Sequence, residues 1–208
     1  MTRLWAGASE KALKTTMRGD VLLARGEAVG ARAAYEEATA QSPQIVSAQL
    51  NLAVLLDSTN QVDAAIERYR RTLASRPTNV TALNNLAYRL AIDKKSPAEA
   101  LPLAQQAIKL DQSSTVADTL AWIQHLLGDP AAVRTMAAAL RSAPNNADIR
   151  LHAAVIYAAA GARAVAEDQL KAALTLNPSL ENSPEVKQVR EQLQKRSTQE
   201  SPSSPPRR

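Results

Sequence analysis

The sequence predicts an all-α fold, an α-solenoid of about five stacked helix pairs closed by one further helix. Three observations predict it. Landmarks recur with a period of 34: Pro43 and Pro77, Pro144 and Pro178, and the pairs Leu52-Ala53, Leu86-Ala87 and Leu120-Ala121. A period of that size is the mark of a repeat array. Strong helix formers dominate, with 41 Ala and 25 Leu in 208 residues, no Phe and 3% aromatics, which argues against a β-sandwich or barrel. Between the landmarks, apolar residues follow helical spacing, as at Leu83, Leu86, Ala87 and Leu90, and breakers separate the runs.

The repeats fall at 12–45, 46–79, 80–113, 114–146 and 147–180, after an N-terminal extension of residues 1–11. In the first, Arg25-Gly26-Glu27 divides two helices, and Ala31 and Tyr35 mark the second of them. The second repeat breaks at Asp57-Ser58-Thr59-Asn60 and carries Ala65 and Tyr69 at the matching places. The third has an extra residue near Lys94-Lys95, and its Ser96-Pro97-Ala98-Glu99 has the form of a capping box. Its Pro102 lies inside a helix, which predicts a bend, and Gln112 stands where the period asks for proline. In the fourth, Gly128 suits the left-handed end of a helix, and Asp129-Pro130 suits the start of the next. Its second helix holds Ala137, Ala138 and Ala139, where bulkier packing is usual. The third and fourth repeats depart most from the period and are the predicted weak point or hinge.

The fifth repeat restores the pattern with Ala153-Ala154, Gly161, Ala166 and Leu170. A terminal repeat leaves an apolar face that needs a cap with a polar outer side. Ser183-Pro184-Glu185 starts such a helix, expected over 181–196, with Val186, Val189 and Leu193 on its inner side. Residues 197–208, STQESPSSPPRR, are polar and proline-rich and read as a disordered tail. At the other end, Leu4 and Trp5 are expected to cover the first repeat.

Composition and motifs exclude several functions. With no cysteine there is no thiol chemistry and no Cys-ligated metal. No apolar run approaches the ~20 residues of a membrane span. No Gly-rich phosphate loop or nucleophile elbow occurs. His125 and His152 are the only histidines, and Asp118 precedes His125 by seven residues. Those are the ligand types of a two-histidine, one-carboxylate centre. Without a local metal-binding spacing, the expectation is no metal, no cofactor and no enzyme. The chain is basic, at net +5, but six Lys/Arg against three Glu from Pro184 onward leave the repeats only slightly positive. The densest cluster, Arg68, Arg70 and Arg71, shares its helix with Glu67 and reads as a solvated face, so nucleic-acid binding is not expected.

The pattern Leu52-Ala53, Leu56, Ala65, Tyr69, Pro77, repeated as Ala153-Ala154, Tyr157, Gly161, Ala166, Leu170, Ala173, Pro178, resembles the tetratricopeptide repeat family over residues 12–180. Asn84-Asn85-Leu86-Ala87-Tyr88, followed by Asp118-Thr119-Leu120-Ala121-Trp122, is similar to bacterial members of that family, including lipoproteins linked to exopolysaccharide and protein-sorting (PEP-CTERM) systems. The resemblance implies a right-handed solenoid whose first helices line a concave groove. It also implies that repeat positions 2, 5, 6, 9 and 12 face that groove. Those positions hold Asn51, Asp57, Asn84, Asn85, Tyr88, Asp118, Trp122, His125, His152 and Val155. Asparagine offers a donor and an acceptor to an extended backbone, and Tyr and Trp give stiff contact area. The alternative for each is packing or bonding within the array. The family's two-carboxylate clamp needs lysines where this chain has Thr16 and Leu50, so a chaperone co-factor of that kind is not expected.

The expected function is therefore non-enzymatic. The groove binds a peptide or protein segment, and the protein acts as an adaptor or assembly scaffold. One alternative is a spacer segment of a larger envelope-associated array. Another is a nucleic-acid or membrane-surface binder acting through the basic tail. The N-terminal stretch MTRLWAGASEK lacks the apolar core of a secretory signal, which predicts a cytoplasmic chain. If the chain is a piece of a longer exported protein, the expectation becomes periplasmic or envelope-associated.

Overall fold

The computed structural model describes the backbone of residues 2–199 and the side chains of residues 9–194. Those residues form eleven α-helices and one 3₁₀ turn, with no strand. In chain order the helices are α1 (Thr2–Ala24), α2 (Ala28–Gln41), α3 (Val46–Ser58), α4 (Val62–Ser75), α5 (Val80–Ile92) and α6 (Pro97–Leu110). Then follow α7 (Ser114–Leu126), α8 (Ala131–Ser142), α9 (Ala147–Ala159), α10 (Arg163–Leu176), the 3₁₀ turn (Pro178–Asn182) and α11 (Pro184–Gln199). The chain divides into two compact units, 1–110 and 111–208. No helix is long and apolar enough to cross a membrane, among the described residues.

In the first unit each helix packs on the next, α1 on α2 through to α5 on α6. Alanines make this possible. Ala31, Ala34, Ala38, Ala53, Ala65, Ala87, Ala100 and Ala104 are fully buried. A methyl at a helix crossing lets backbones approach closely, so stacking comes from small residues rather than from large ones. Tyr35 and Tyr69, both fully buried, fill the remaining space. The Tyr35 ring lies so close over Gly19 that a Cβ there would meet Cε1 at 2.5 Å. The period puts Ala53 and Ala87 at the places equivalent to Gly19.

The second unit repeats the plan, α7 on α8, α8 on α9 and α9 on α10, with α7 also touching α9. Here Met136 and Leu170 stand where the first unit has its tyrosines, and Ile123, Val155 and Ile156 complete the core. α11 rests mainly on α9, burying Val186 and Val189. Its start is capped by Ser183, whose hydroxyl accepts from the Val186 amide at 3.2 Å.

The breakers behave as turn chemistry requires. Gly26, Gly128 and Gly161 end helices with φ of 79°, 71° and 83°. At the two remaining pair turns, Asn60 and Lys95 take the same left-handed conformation, at 58° and 52°. Asp129 caps α8 through the Ala131 amide at 2.8 Å. α6 carries Pro102 inside one helix, where the sequence places it. Two details differ from the sequence expectation. The Ser96 hydroxyl donates to the Lys94 carbonyl instead of capping Glu99, so the capping box is not closed. α11 extends to Gln199, so residues 197–199 of the expected tail are helical; residues 200–208 lie outside the described residues. The 1–11 extension is helical from Thr2 and continuous with α1. The side chains of Leu4 and Trp5 lie outside the described ones.

Candidate partner-binding face

The first helices of the repeats, α1, α3 and α5 in one unit and α7 and α9 in the other, carry the residues singled out above. In the first unit they form a hydrogen-bonded ladder. Asp20 on α1 accepts at a single oxygen from the Tyr35 hydroxyl of α2 at 2.8 Å and from Asn51 Nδ2 of α3 at 2.7 Å. One repeat later, Tyr69 of α4 donates to Asp57 of α3 at 2.9 Å and accepts from Asn85 Nδ2 of α5 at 3.0 Å. Burial first, and then the neighbouring carboxylate, pushes both phenols well above their ordinary value, so they stay neutral donors. Asn51 and Asn85 therefore join repeats to each other.

Arg89 completes the second rung. It pairs with Asp57 across the repeat boundary and with Asp93 at 3.3 Å, and its guanidinium lies 5.6 Å over the Tyr88 ring. Burial pulls its pKa down, and Asp57 and Asp93 together push it above the ordinary value. The structure thus holds Arg89 between two carboxylates. Asn84 is only 7% exposed. Its Nδ2 reaches Asn85 at 3.3 Å, while its Oδ1 is buried with no partner. Tyr88, half-buried, is four residues on along α5. Val54, on α3, is an exposed apolar side chain.

The second unit brings Asp118, Trp122, His125 and His152 together. His152 Nδ1 lies 2.9 Å from both oxygens of Asp118. The Trp122 ring stacks on His152 at 4.4 Å between centroids and meets His125 at 5.5 Å. Trp122 is only 9% exposed, so most of its area is spent inside the unit. Val155 is fully buried. Asp118 serves His152, and no group of three or more His, Asp or Glu able to hold a metal forms among the described residues. Burial lowers the pKa of His125. For His152, burial also lowers it, but the hydrogen bond and charge of Asp118, with Asp148 and Glu185 behind, outweigh burial and raise it.

Sequence reasoning missed Asp20, Asp148 and Glu185. A signal for the first existed: Tyr35 and Tyr69, and Asn51 and Asn85, are two pairs with the same spacing of 34. A buried phenol at each step implies a polar partner at each step.

Comparison with known proteins agrees with this architecture. Two tetratricopeptide repeat models match, one over residues 22–90 and the other over 130–181, together more than half of the chain. No curated protein matches the sequence. Among solved structures the chain is similar to YrrB, described as a TPR protein with an unusual peptide-binding site. That match has 20% identity and a TM-score of 0.68, and covers 86% of this chain and 92% of that one. It is similar to MamA from Desulfovibrio magneticus RS-1, at 15% identity and TM-score 0.69, covering 81% and 96%. It is similar to PilF of Pseudomonas aeruginosa, at 23% identity and TM-score 0.65, covering 93% and 91%. With its repeated landmarks, its helix pairs and these matches, the chain belongs to the tetratricopeptide repeat family.

Proposed function

We propose that this protein is a non-enzymatic interaction module that holds an extended peptide or protein segment against the first helices of its repeats, as an adaptor or scaffold. The observation that carries the reading is Asn84. A buried acceptor without a partner costs about 1–3 kcal/mol, and a turn of the Asn84 amide toward the surface would let a bound segment's N–H recover that cost. Tyr88 is one helical turn away on the same side of α5, and Val54 offers apolar contact on the preceding first helix. YrrB, whose fold is similar, is described as having a peptide-binding site, which supports the class of function. Trp122 and the ladder asparagines Asn51 and Asn85 serve this function indirectly, by fixing the repeats that present the face.

The test is selection of peptides from a random display library on the immobilised full chain, followed by affinity measurement. Asn84→Ala and Tyr88→Ala should each weaken binding about tenfold or more, equivalent to about 1.4 kcal/mol. Asn84→Ala should leave the melting temperature unchanged or higher, because it removes the unpartnered acceptor. Arg71→Ala on α4 should change nothing. Recovery of no peptide, or binding that ignores Asn84 and Tyr88, would overturn the proposal.

A second reading has its own observation. Leu13, Met17 and Val21, at 50%, 58% and 51% exposure, form an apolar stripe along α1. An interior repeat of a longer array shows such a stripe to the repeat before it, as the spacer reading requires. Concentration-dependent self-association that disappears in Met17→Glu would favour it over the adaptor reading.

A further inference from the structure

We propose that His152 is a proton-operated fastener: with its ring doubly protonated it ties α9 to α7 and holds the start of the capping helix α11, and when that proton leaves, the seam loosens. The inference does not depend on what the protein binds.

One side chain spans the boundary between two repeats with two kinds of contact. Its Nδ1 meets both oxygens of Asp118, and its ring face meets Trp122. Both partners are on α7. The charged groups that act on the ring are all carboxylates, from three elements: Asp118 of α7, Asp148 in the first turn of α9 itself, and Glu185 in the first turn of α11. α8 and α10, the other helices against α9, contribute none of these charges. An imidazolium in this setting attracts all three carboxylates. A neutral imidazole keeps one N–H for Asp118 and gives up the rest.

The sign follows from the balance already described. The folded state holds the second proton more tightly than the ordinary value of 6.5. The stabilisation is therefore complete below that value and is lost as pH rises through the folded value. His125, whose pKa burial lowers, behaves in the opposite way: its contribution is present above 6.5 and is lost as pH falls. The two histidines occupy separate pH windows and can be told apart.

The experiment uses the full chain. Nuclear magnetic resonance titration of the two imidazoles should place the His152 midpoint above 6.5 and the His125 midpoint below it. Glu185→Gln should move the His152 midpoint down. Hydrogen exchange of the α9 and α11 amides, corrected for intrinsic pH dependence, should speed up several-fold between pH 6 and pH 8.5. That acceleration should persist in His125→Gln and vanish in His152→Gln. A His152 midpoint at or below 6.5, or the same acceleration in His152→Gln, would overturn the proposal. If His152→Gln fails to fold, the wild-type titration and the Glu185→Gln shift decide alone.

Discussion

The two units join neighbouring repeats with different chemistry on the same frame. The first buries a phenol in each of its first two repeats and leads its hydroxyl to a carboxylate and an asparagine. The second puts Met136 and Leu170 at those places and moves the polar link to a first-helix pair, Asp118 and His152, covered by Trp122. Neutral phenols and amides do not titrate in the working range, whereas an imidazole does. Two chemically different seams can thus satisfy one geometry, and only one of them responds to protons.

The largest expected effect that sharpens the contrast is loss of Asp57. In Asp57→Ala the Tyr69 hydroxyl loses its acceptor and the half-buried Arg89 keeps only Asp93. A cost of about 3 kcal/mol follows for a largely buried pair broken from one side. Denaturant titration should show it, and near-zero loss would mean that the ladder is ornamental. Tyr69→Phe is next, at about 1–2 kcal/mol, since it removes one buried hydroxyl from between Asp57 and Asn85. The matched change in the other unit, Met136→Leu, conserves volume and should cost less than about 1.5 kcal/mol. If Met136→Leu proves the more damaging, the polar ladder is not what distinguishes the first unit.

The turns give a smaller pair of effects with opposite signs. Lys95 holds a left-handed conformation that strains a side chain with a Cβ. Lys95→Gly should stabilise by up to about 1 kcal/mol, and Gly128→Ala should destabilise by about 1 kcal/mol. Nothing lies within 4 Å of a Cβ at Gly128, so its penalty is purely conformational. Thermal melts of the two variants should move apart. Smallest of all is Glu67→Ala, which removes an exposed i,i+4 partner of Arg71 and should cost no more than about 0.5 kcal/mol.

Most of the architecture was legible in the sequence, because periodicity is a property of spacing and survives without contacts. The period of 34, Gly128 and Gly161 as turn residues and the Ser183 cap all follow from local rules. The departures are informative. Ser96 failed as a capping residue because the Glu99 amide goes to its backbone carbonyl at 3.1 Å while its hydroxyl donates to the Lys94 carbonyl, a choice of partners that spacing does not rank. The candidate face was legible by position but not by partnership. Asn51, Asn85, Asp118 and His152 were singled out, yet which atoms they meet depends on where the neighbouring helix places its own side chains. Asp20 and Asp57 serve equivalent phenols from places 37 residues apart, against a period of 34. One helical turn of offset hid the repetition.

The buried alanines have a consequence for how this chain can vary. In most cores, substitutions that remove volume do the damage. Where helices meet methyl to methyl, the damaging substitutions are those that add volume. A saturation library scored for folding should therefore show its least tolerant columns at Ala53, Ala65, Ala87, Ala100, Ala154 and Ala166, with valine and leucine as harmful there as aspartate. Innovation along this lineage is channelled outward, to positions such as Val54 and Tyr88, where a new side chain alters what the surface presents without wedging the helices apart.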